Sequence, residues 1–330
     1  MARLVIGTSK AKTTPAVVRD VAPAHYIEKS VDANGKLING SSVIDLTGVT
    51  DIGDFALIHA YSNSTLPANT NLDFSSLTTL SGLQSMNNTF QFCTGLTSVN
   101  LSSLTTISSN CMNSVFAYCS TLTSVNLSSL TTISGSNGMQ YAFRSCTGLT
   151  SINLPSLTTI SGGNGMNSTF QNCTGITSMD FPSLTTISGG NSMGFAFQNC
   201  TGLTRILFYA LDINSFGTFT NQFNKMLSSC SNVTVHFPMR IQSTIGSWAS
   251  VTDGFGGTNT TVLFDIVCTL TGADTNTYTR SQKNSTSTAT AWDNGGTLYY
   301  TSGTSEPAVS DTIYSDAACT TAVTTISSIA

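Results

Sequence analysis

Nine cysteines are the first side chains here that could carry a reaction or hold a metal. Five of them, Cys93, Cys119, Cys146, Cys173 and Cys200, fall 26, 27, 27 and 27 residues apart, so neighbouring thiolates could in principle form a ladder of soft metal ligands. Structural zinc, however, uses C-x-x-C or Cys/His pairs, and neither accompanies these residues. An odd count in a chain of 330 residues also argues against a disulfide framework, which small secreted scaffolds need and large cores do not. A free Cys behaves as a small apolar side chain and is among the most buried residue types, so the periodic thiols read as core. Cys268 and Cys319 stand outside the periodic set and could pair with each other in an oxidising setting.

The other reactive types are scattered. Glycine-rich segments at Gly135 to Gly138, Gly162 to Gly165 and Gly189 to Ser192 suggest phosphate or calcium binding, but a P-loop continues with Lys and Ser/Thr and a calcium repeat with Asp. These segments continue with Met, which leaves tight turns. His25, His59 and His236 have no nucleophile motif or carboxylate pair near them, and Asp73 and Asp180 read as solvated surface acids. Asn-x-Ser/Thr sequences at Asn63, Asn167 and Asn232 arise by chance in a chain so rich in these residues. The expectation is a protein that is not an enzyme, with no catalytic residues, no metal and no cofactor.

Composition narrows the partners. Only 8% of residues are charged, against roughly 25% in ordinary globular proteins. The net charge of −4 comes from 16 acids and 12 bases without a basic stripe, so nucleic acid is not an expected partner. No apolar run approaches the ~18 residues of a membrane span, and the longest candidate, Leu203 to Ile213, is broken by Asp212. The opening MARLVIGTSKAKTTP lacks the apolar h-region of a secretory signal, so export by that route is not expected. Disorder is excluded by the fixed spacing of Leu, Ile, Val and Phe.

Aligning on the cysteines shows what must position these residues. One unit recurs as FQFCTGLTSVNLSSLTTIS, FAYCSTLTSVNLSSLTTIS, FRSCTGLTSINLPSLTTIS, FQNCTGITSMDFPSLTTIS and FQNCTGLTRILF. A period of 26 to 27 with L-x-x-I-x-L, as at Leu149, Ile152 and Leu154, lies in the leucine-rich-repeat range. A short alternating strand, then Pro or Ser, then a second apolar pair such as Leu157 and Ile160, suits a coil that points one edge inward all the way round. The wider motif F-x-x-C-x-x-L-T-S-I-x-L-P-S-L-T-T-I resembles the BspA-like leucine-rich repeats of bacterial surface proteins and some phage proteins, over about Val43 to Ile266. The resemblance puts Phe90, Phe116, Phe143, Phe170 and Phe197 at the family's Phe position and the five cysteines at its Cys position, as structural repeat core. It also implies a degenerate first coil in VIDLTGVTDIGDFALIHAY and a closing coil in CSNVTVHFPMRIQSTIGSW. The SGGNGMNS-type segments depart from the family and read as inserted loops that could carry specificity.

The expected fold is therefore a mainly β repeat solenoid with short strands and irregular or 3₁₀ turns, followed by a small β-sandwich-like module. Residues 1–42 form an extended attachment arm, 43–266 the solenoid with atypical capping coils, and 267–330 the C-terminal module. Six or seven coils spaced as paired strands give a rod roughly 30 Å long. Coils hold together by apolar burial, at roughly 1.5–3 kcal/mol per side chain, rather than by the few charges present.

Candidate binding residues are the outward half of each strand: Ser98, Asn100, Ser124, Asn126, Ser151, Asn153, Ser178, Asp180 and Arg205, stacked as polar ladders that either are simply solvated or contact a sugar or protein. Trp292, Tyr299, Tyr300 and Tyr314 in the C-terminal module either form its core or contact a saccharide or protein. Arm, rod and tip in this order, with an uncharged Ser/Thr/Asn-rich body, lead to the expectation of a bacteriophage virion subunit, a head or tail fibre or decoration protein. Its arm would hold other virion proteins, its outer surface would bind a host-cell protein or glycan for adhesion, and it could form a homo-oligomer. The alternative, favoured by the family resemblance, is a bacterial cell-surface adhesin.

Overall fold

A chain that must bury Leu149, Ile152, Leu154, Leu157, Ile160, Met166, Phe170 and Cys173 against one axis has to turn through a full circle between them, and it does: all eight are buried. The computed structural model describes residues 48–54, 57–208, 210–212, 222–238 and 254–262 with their side chains, together with the backbone of strands at 16–18, 29–31, 37–39, 42–44, 263–270, 277–281, 289–293, 297–301, 312–314 and 322–329. It is a mainly β solenoid of about seven coils, and each regular coil has three sides.

The strands in chain order are β1 Ala16–Val18, β2 Lys29–Val31, β3 Leu37–Asn39, β4 Ser42–Ile44 and β5 Val49–Ile52 before the first regular coil. In the coils they are β6 Thr65–Asp73, β7 Thr79–Leu80, β8 Thr94–Asn100, β9 Thr106–Ile107, β10 Ser124–Asn126, β11 Thr132–Ile133, β12 Ser151–Asn153 and β13 Thr159–Ile160. The array finishes with β14 Ser178–Asp180, β15 Thr186–Ile187, β16 Arg205–Leu207 and β17 Thr234–Pro238. Then come β18 Thr261–Leu270, β19 Thr277–Ser281, β20 Ala289–Asp293, β21 Thr297–Thr301, β22 Thr312–Tyr314 and β23 Ala322–Ile329.

The first side stacks β6, β8, β10 and β12 in parallel, with Ser98, Ser124 and Ser151 in one register; the ladder restarts as β14, β16, β17 and β18. The second side is the parallel series β5, β7, β9, β11, β13 and β15, joined at its outer edge by β1. There the first Thr of each T-T-I triplet bonds twice to the coil before it. Thr105, Thr131 and Thr158 donate both their amides and their hydroxyls to the carbonyls of Thr78, Thr105 and Thr131, at 2.8–3.1 Å.

The third side is a run of stacked turns rather than a strand or helix. Amides alternate: Asn87, Thr89, Gln91 and Cys93 bond back three residues at 3.1–3.2 Å, while Met86, Asn88, Phe90 and Phe92 reach carbonyls of the next coil at 2.8–3.0 Å. Every fourth residue of the run takes a left-handed backbone, as at Asn137, Tyr141 and Ser145 (φ 56°, 56° and 59°). This conformation costs a non-glycine residue roughly 1–2 kcal/mol and is best tolerated by Asn, which accounts for Asn110, Asn164, Asn172, Asn191 and Asn199 at these points. The segments expected as inserted loops are this third side. They do not loop out: Met139, Met166 and Met193 are fully buried, and Gly162 sits so close to Gly135 that a Cβ would lie 2.0 Å from its carbonyl oxygen.

One continuous apolar core runs from Val49 to Phe255. Tyr61, Phe90, Phe116, Phe143, Phe170 and Phe197 form a column of stacked rings with centroids 5.4–5.7 Å apart and planes within 15°. Phe181, Phe208 and Phe237 form a second, at 5.1 and 5.3 Å. Tyr61 thus takes the Phe place in the first coil.

At the ends, β1 lies within residues 1–42 and pairs in parallel with β5, while β2, β3 and β4 form a separate antiparallel sheet. Strand β18 runs across residue 266, pairing in parallel with β17 and antiparallel with β19 and β23, so the final antiparallel strands are hydrogen-bonded into the last coil. Cys268 lies on β18, and Cys319 and Trp248 lie outside the described residues.

Removing a ring from the middle of the first column should be felt on both faces. Phe143→Ala is expected to lower unfolding stability by about 3–5 kcal/mol, read as a shift of the chemical-denaturation midpoint. A shift under about 1 kcal/mol would mean that the column does not hold adjacent coils together.

Candidate binding surface

The strand-face residues stand where their alternation puts them, outward and stacked. Ser98, Ser124 and Ser151 are neighbours, as are Asn100, Asn126 and Asn153, and Ser178 stands beside Arg205 one coil along. Much of their bonding capacity is already used. Asn100 donates to Asp73 at 3.0 Å, Ser98 to Asn71, and the side-chain oxygens of Asp73, Asn100 and Asn126 accept the amides two residues on, at 2.9–3.2 Å. The Asn or Asp at each of these strand ends therefore closes the following turn. Asp180 and Arg205 pair at 3.6 Å with 49% of each side chain exposed, a surface pair of the kind that contributes about 0–1 kcal/mol. Trp292, Tyr299, Tyr300 and Tyr314 lie on β20, β21 and β22, with Tyr299 and Tyr314 opposite each other in the ladder; their side chains lie outside the described residues.

Cys93, Cys119, Cys146, Cys173 and Cys200 are buried and free, as are Cys111 and Cys230. Each periodic thiol occupies the spare lone pair of a carbonyl in the previous coil. Cys93 donates to Tyr61, Cys119 to Phe90, Cys146 to Phe116, Cys173 to Phe143 and Cys200 to Phe170, all at 3.0–3.1 Å. Burial pushes Cys93 and Cys173 up to about 12 from an ordinary 9.0, and raises Cys119, Cys146 and Cys200 as well. These are neutral donors in an apolar interior, not nucleophiles or ligands. Among the described residues no group of three His, Cys, Asp or Glu side chains could hold a metal ion, and no helix is long and apolar enough to cross a membrane.

The third side carries a surface that sequence reasoning missed. Phe92 is 43% exposed and stacks on Tyr118, centroids 4.4 Å apart and planes 9° from parallel. The Arg144 guanidinium lies over Tyr118 at 5.5 Å and over Tyr141 at 5.4 Å, which joins three coils in one aromatic and cationic stripe. Phe92, Tyr118 and Tyr141 all hold the left-handed backbone, as does Phe195. They stand at the left-handed positions that recur every fourth residue of this side, where the turn stack enforces the conformation whatever the side chain.

Beside the stripe lies a cleft of about 460 Å³. Tyr141 and Phe195 occupy the same place in coils two apart; the coil between them carries Ser168, so a slot opens over Ser168 and Asn167, which are 3% and 5% exposed. Arg144, Gln171 and Gln198 line one flank, Asn164 and Asn191 the other. The signal for the stripe lay between Phe and Cys of each unit, where FQFC, FAYC and FRSC differ from the two FQNC units, and that for the slot two residues before the Phe, where STF stands between YAF and FAF.

The buried thiols make stability depend on alkaline pH. Folded-state values are raised, so their contribution is complete below pH 9 and disappears as pH climbs toward 12, where only the unfolded chain has released its protons first. The unfolding free energy is expected to fall above pH 9, and Cys146→Ala should lessen that slope, by at most about 1.4 kcal/mol per pH unit. An unchanged slope in the variant, measured by urea denaturation at stepped pH, would show that Cys146 titrates alike in both states.

Two comparisons bear on kinship. A search of the curated proteins gave no match. The family of the BspA type leucine rich repeat region matches residues 61–137 and 112–249 with six copies, more than half of the chain. The described part of that span is the stacked coils with their Phe and Cys columns, and the chain belongs to the BspA-type leucine-rich repeat family.

Proposed function

We propose that this protein is a non-enzymatic adhesion subunit, a fibre or decoration protein of a bacteriophage virion, whose solenoid surface binds a protein or glycan on the host cell. One observation carries the adhesive part of the reading. On a rod whose other two described sides are largely satisfied by bonds between coils, the third side exposes Phe92 and stacks it with Tyr118, Arg144 and Tyr141 in one stripe. Aromatic and Arg side chains of this kind are the usual anchors of recognition surfaces.

A virion setting is supported by a chain only 8% charged and rich in Ser, Thr and Asn, whose coils stack without needing counter-charges. Residues 1–42 would attach the subunit to other virion proteins. Family membership favours a second reading, a bacterial cell-surface adhesin that binds host protein or glycan.

Mass spectrometry of purified particles, alongside fractionation of the producing cells, separates the two. The chain is expected among the structural proteins of the particle, and the recombinant chain is expected to decorate host cells. Recovery in the cell-envelope fraction without particles would replace the first reading with the second; recovery in neither, with no cell binding, would remove both.

A further inference from the structure

The cleft between Tyr141 and Phe195 gathers three polar atoms that the coils leave unbonded. Along most of the rod amide side chains stack coil on coil, as Asn164 on Asn137 and Asn191 on Asn164, each at 3.1 Å. The cleft lining keeps this pattern, with Asn191 on Asn164 and Gln171 on Gln198, yet three of its polar atoms take no part in it. Asn191 Oδ1, Gln171 Oε1 and Arg144 Nε are buried, have no hydrogen-bond partner among the described residues, and belong to side chains that line the same cavity. A buried donor or acceptor left without a partner costs roughly 1–3 kcal/mol, so each such atom calls for a water or a ligand.

The chemistry of the lining selects the ligand. Aromatic residues stand at both ends of the slot, two coil spacings or roughly 10 Å apart, with the small Ser168 between them. Amides flank it and supply donors and acceptors in fixed planar pairs, which vicinal hydroxyls, each both donor and acceptor, can match. The one charged residue in the lining, Arg144, is held over two tyrosine rings, which suits ring stacking more than the neutralisation of an anion. A peptide adding as a strand would need a free sheet edge, and here the backbone groups of the third side are bonded between coils. Nucleic acid would need several cations rather than one. A volume of about 460 Å³ is near the lower end for small-molecule sites and fits one or two sugar rings.

We infer that this cleft is a saccharide subsite, taking a pyranose ring of a neutral glycan between Tyr141 and Phe195 with its hydroxyls on Gln171, Asn191 and Arg144. The inference rests on the adhesive reading above and names its ligand class. The gap itself provides the test variant. Ser168→Tyr restores the aromatic that Tyr141 and Phe195 carry at the equivalent points, on a backbone with the same left-handed φ (53°, against 56° and 53°), so it fills the slot with a residue the fold already accepts there.

Saturation-transfer NMR on the full chain would use chitotriose, maltotriose and mannotriose as neutral probes and trigalacturonic acid as an acidic one. Saturation of ring protons is expected for at least one neutral trisaccharide, with loss in Ser168→Tyr and affinity about tenfold weaker in Phe195→Ser. The inference is overturned if no neutral probe binds, if only the acidic one binds, or if Ser168→Tyr, shown to be folded by its denaturation curve, binds as well as the parent. Host-cell binding by the same proteins separates the two proposals. Full cell binding by Ser168→Tyr would remove the subsite as the adhesive contact and leave adhesion standing; trisaccharide binding without cell binding would remove adhesion and leave the subsite.

Discussion

Every coil of this protein must pass its open backbone groups and its apolar edge to the next coil at one fixed spacing. That single requirement explains residue choices that look unrelated along the chain. Phe fills the column because a flat ring stacks on its copy at 5.4–5.7 Å, close to the separation of paired strands. Cys follows three residues later because a thiol is small and apolar yet can still donate to the spare lone pair of the Phe carbonyl one coil back. Thr is repeated on the second side because its hydroxyl doubles the amide bond to the same carbonyl. Gly recurs at Gly135, Gly162 and Gly189 because the backbones meet there with no room for a Cβ. Burial of each such apolar side chain outweighs the roughly 1–2 kcal/mol that a left-handed residue costs, so the tightly folded third side is affordable without charges.

The same requirement decides where binding can occur. A ladder whose members bond to their neighbours has little left to give a ligand, and the strand face is of this kind: Asn100 is committed to Asp73 and to the amide of Ser102. Recognition therefore belongs where consecutive coils differ. The substitution of Ser168 between Tyr141 and Phe195 opens a cleft, and Arg144 at a place where the following coils carry Gln171 and Gln198 puts a cation beside it. Variation among nearly identical coils changes the surface without disturbing the core, since these positions face away from the Phe and Cys columns.

Much of the fold was legible in the sequence because its strongest periodic signals are buried residues. The register of Phe and Cys announced the stack, and the outward alternation of Ser and Asn on the strands followed from the two-residue repeat of a strand. The third side was not legible, because a run with a left-handed residue at every fourth position has neither a helical nor a strand period; it resembled inserted loops, although its methionines point inward. The aromatic stripe escaped for a related reason. Alignment on shared residues draws attention to Phe and Cys and away from the two variable places between them, which hold Phe92, Tyr118 and Arg144.

Native-state hydrogen exchange tests most directly whether the coils are one cooperative stack. The turn-side amides of Tyr141, Phe143 and Ser145 bond to carbonyls of Asn167, Thr169 and Gln171 in the next coil. They are expected to exchange as slowly as the amides of β10 and β12, with a common opening free energy. Turn-side amides exchanging near the rate of an open chain while those strands stay protected would contradict the stacking of the third side, and with it the cleft built upon it.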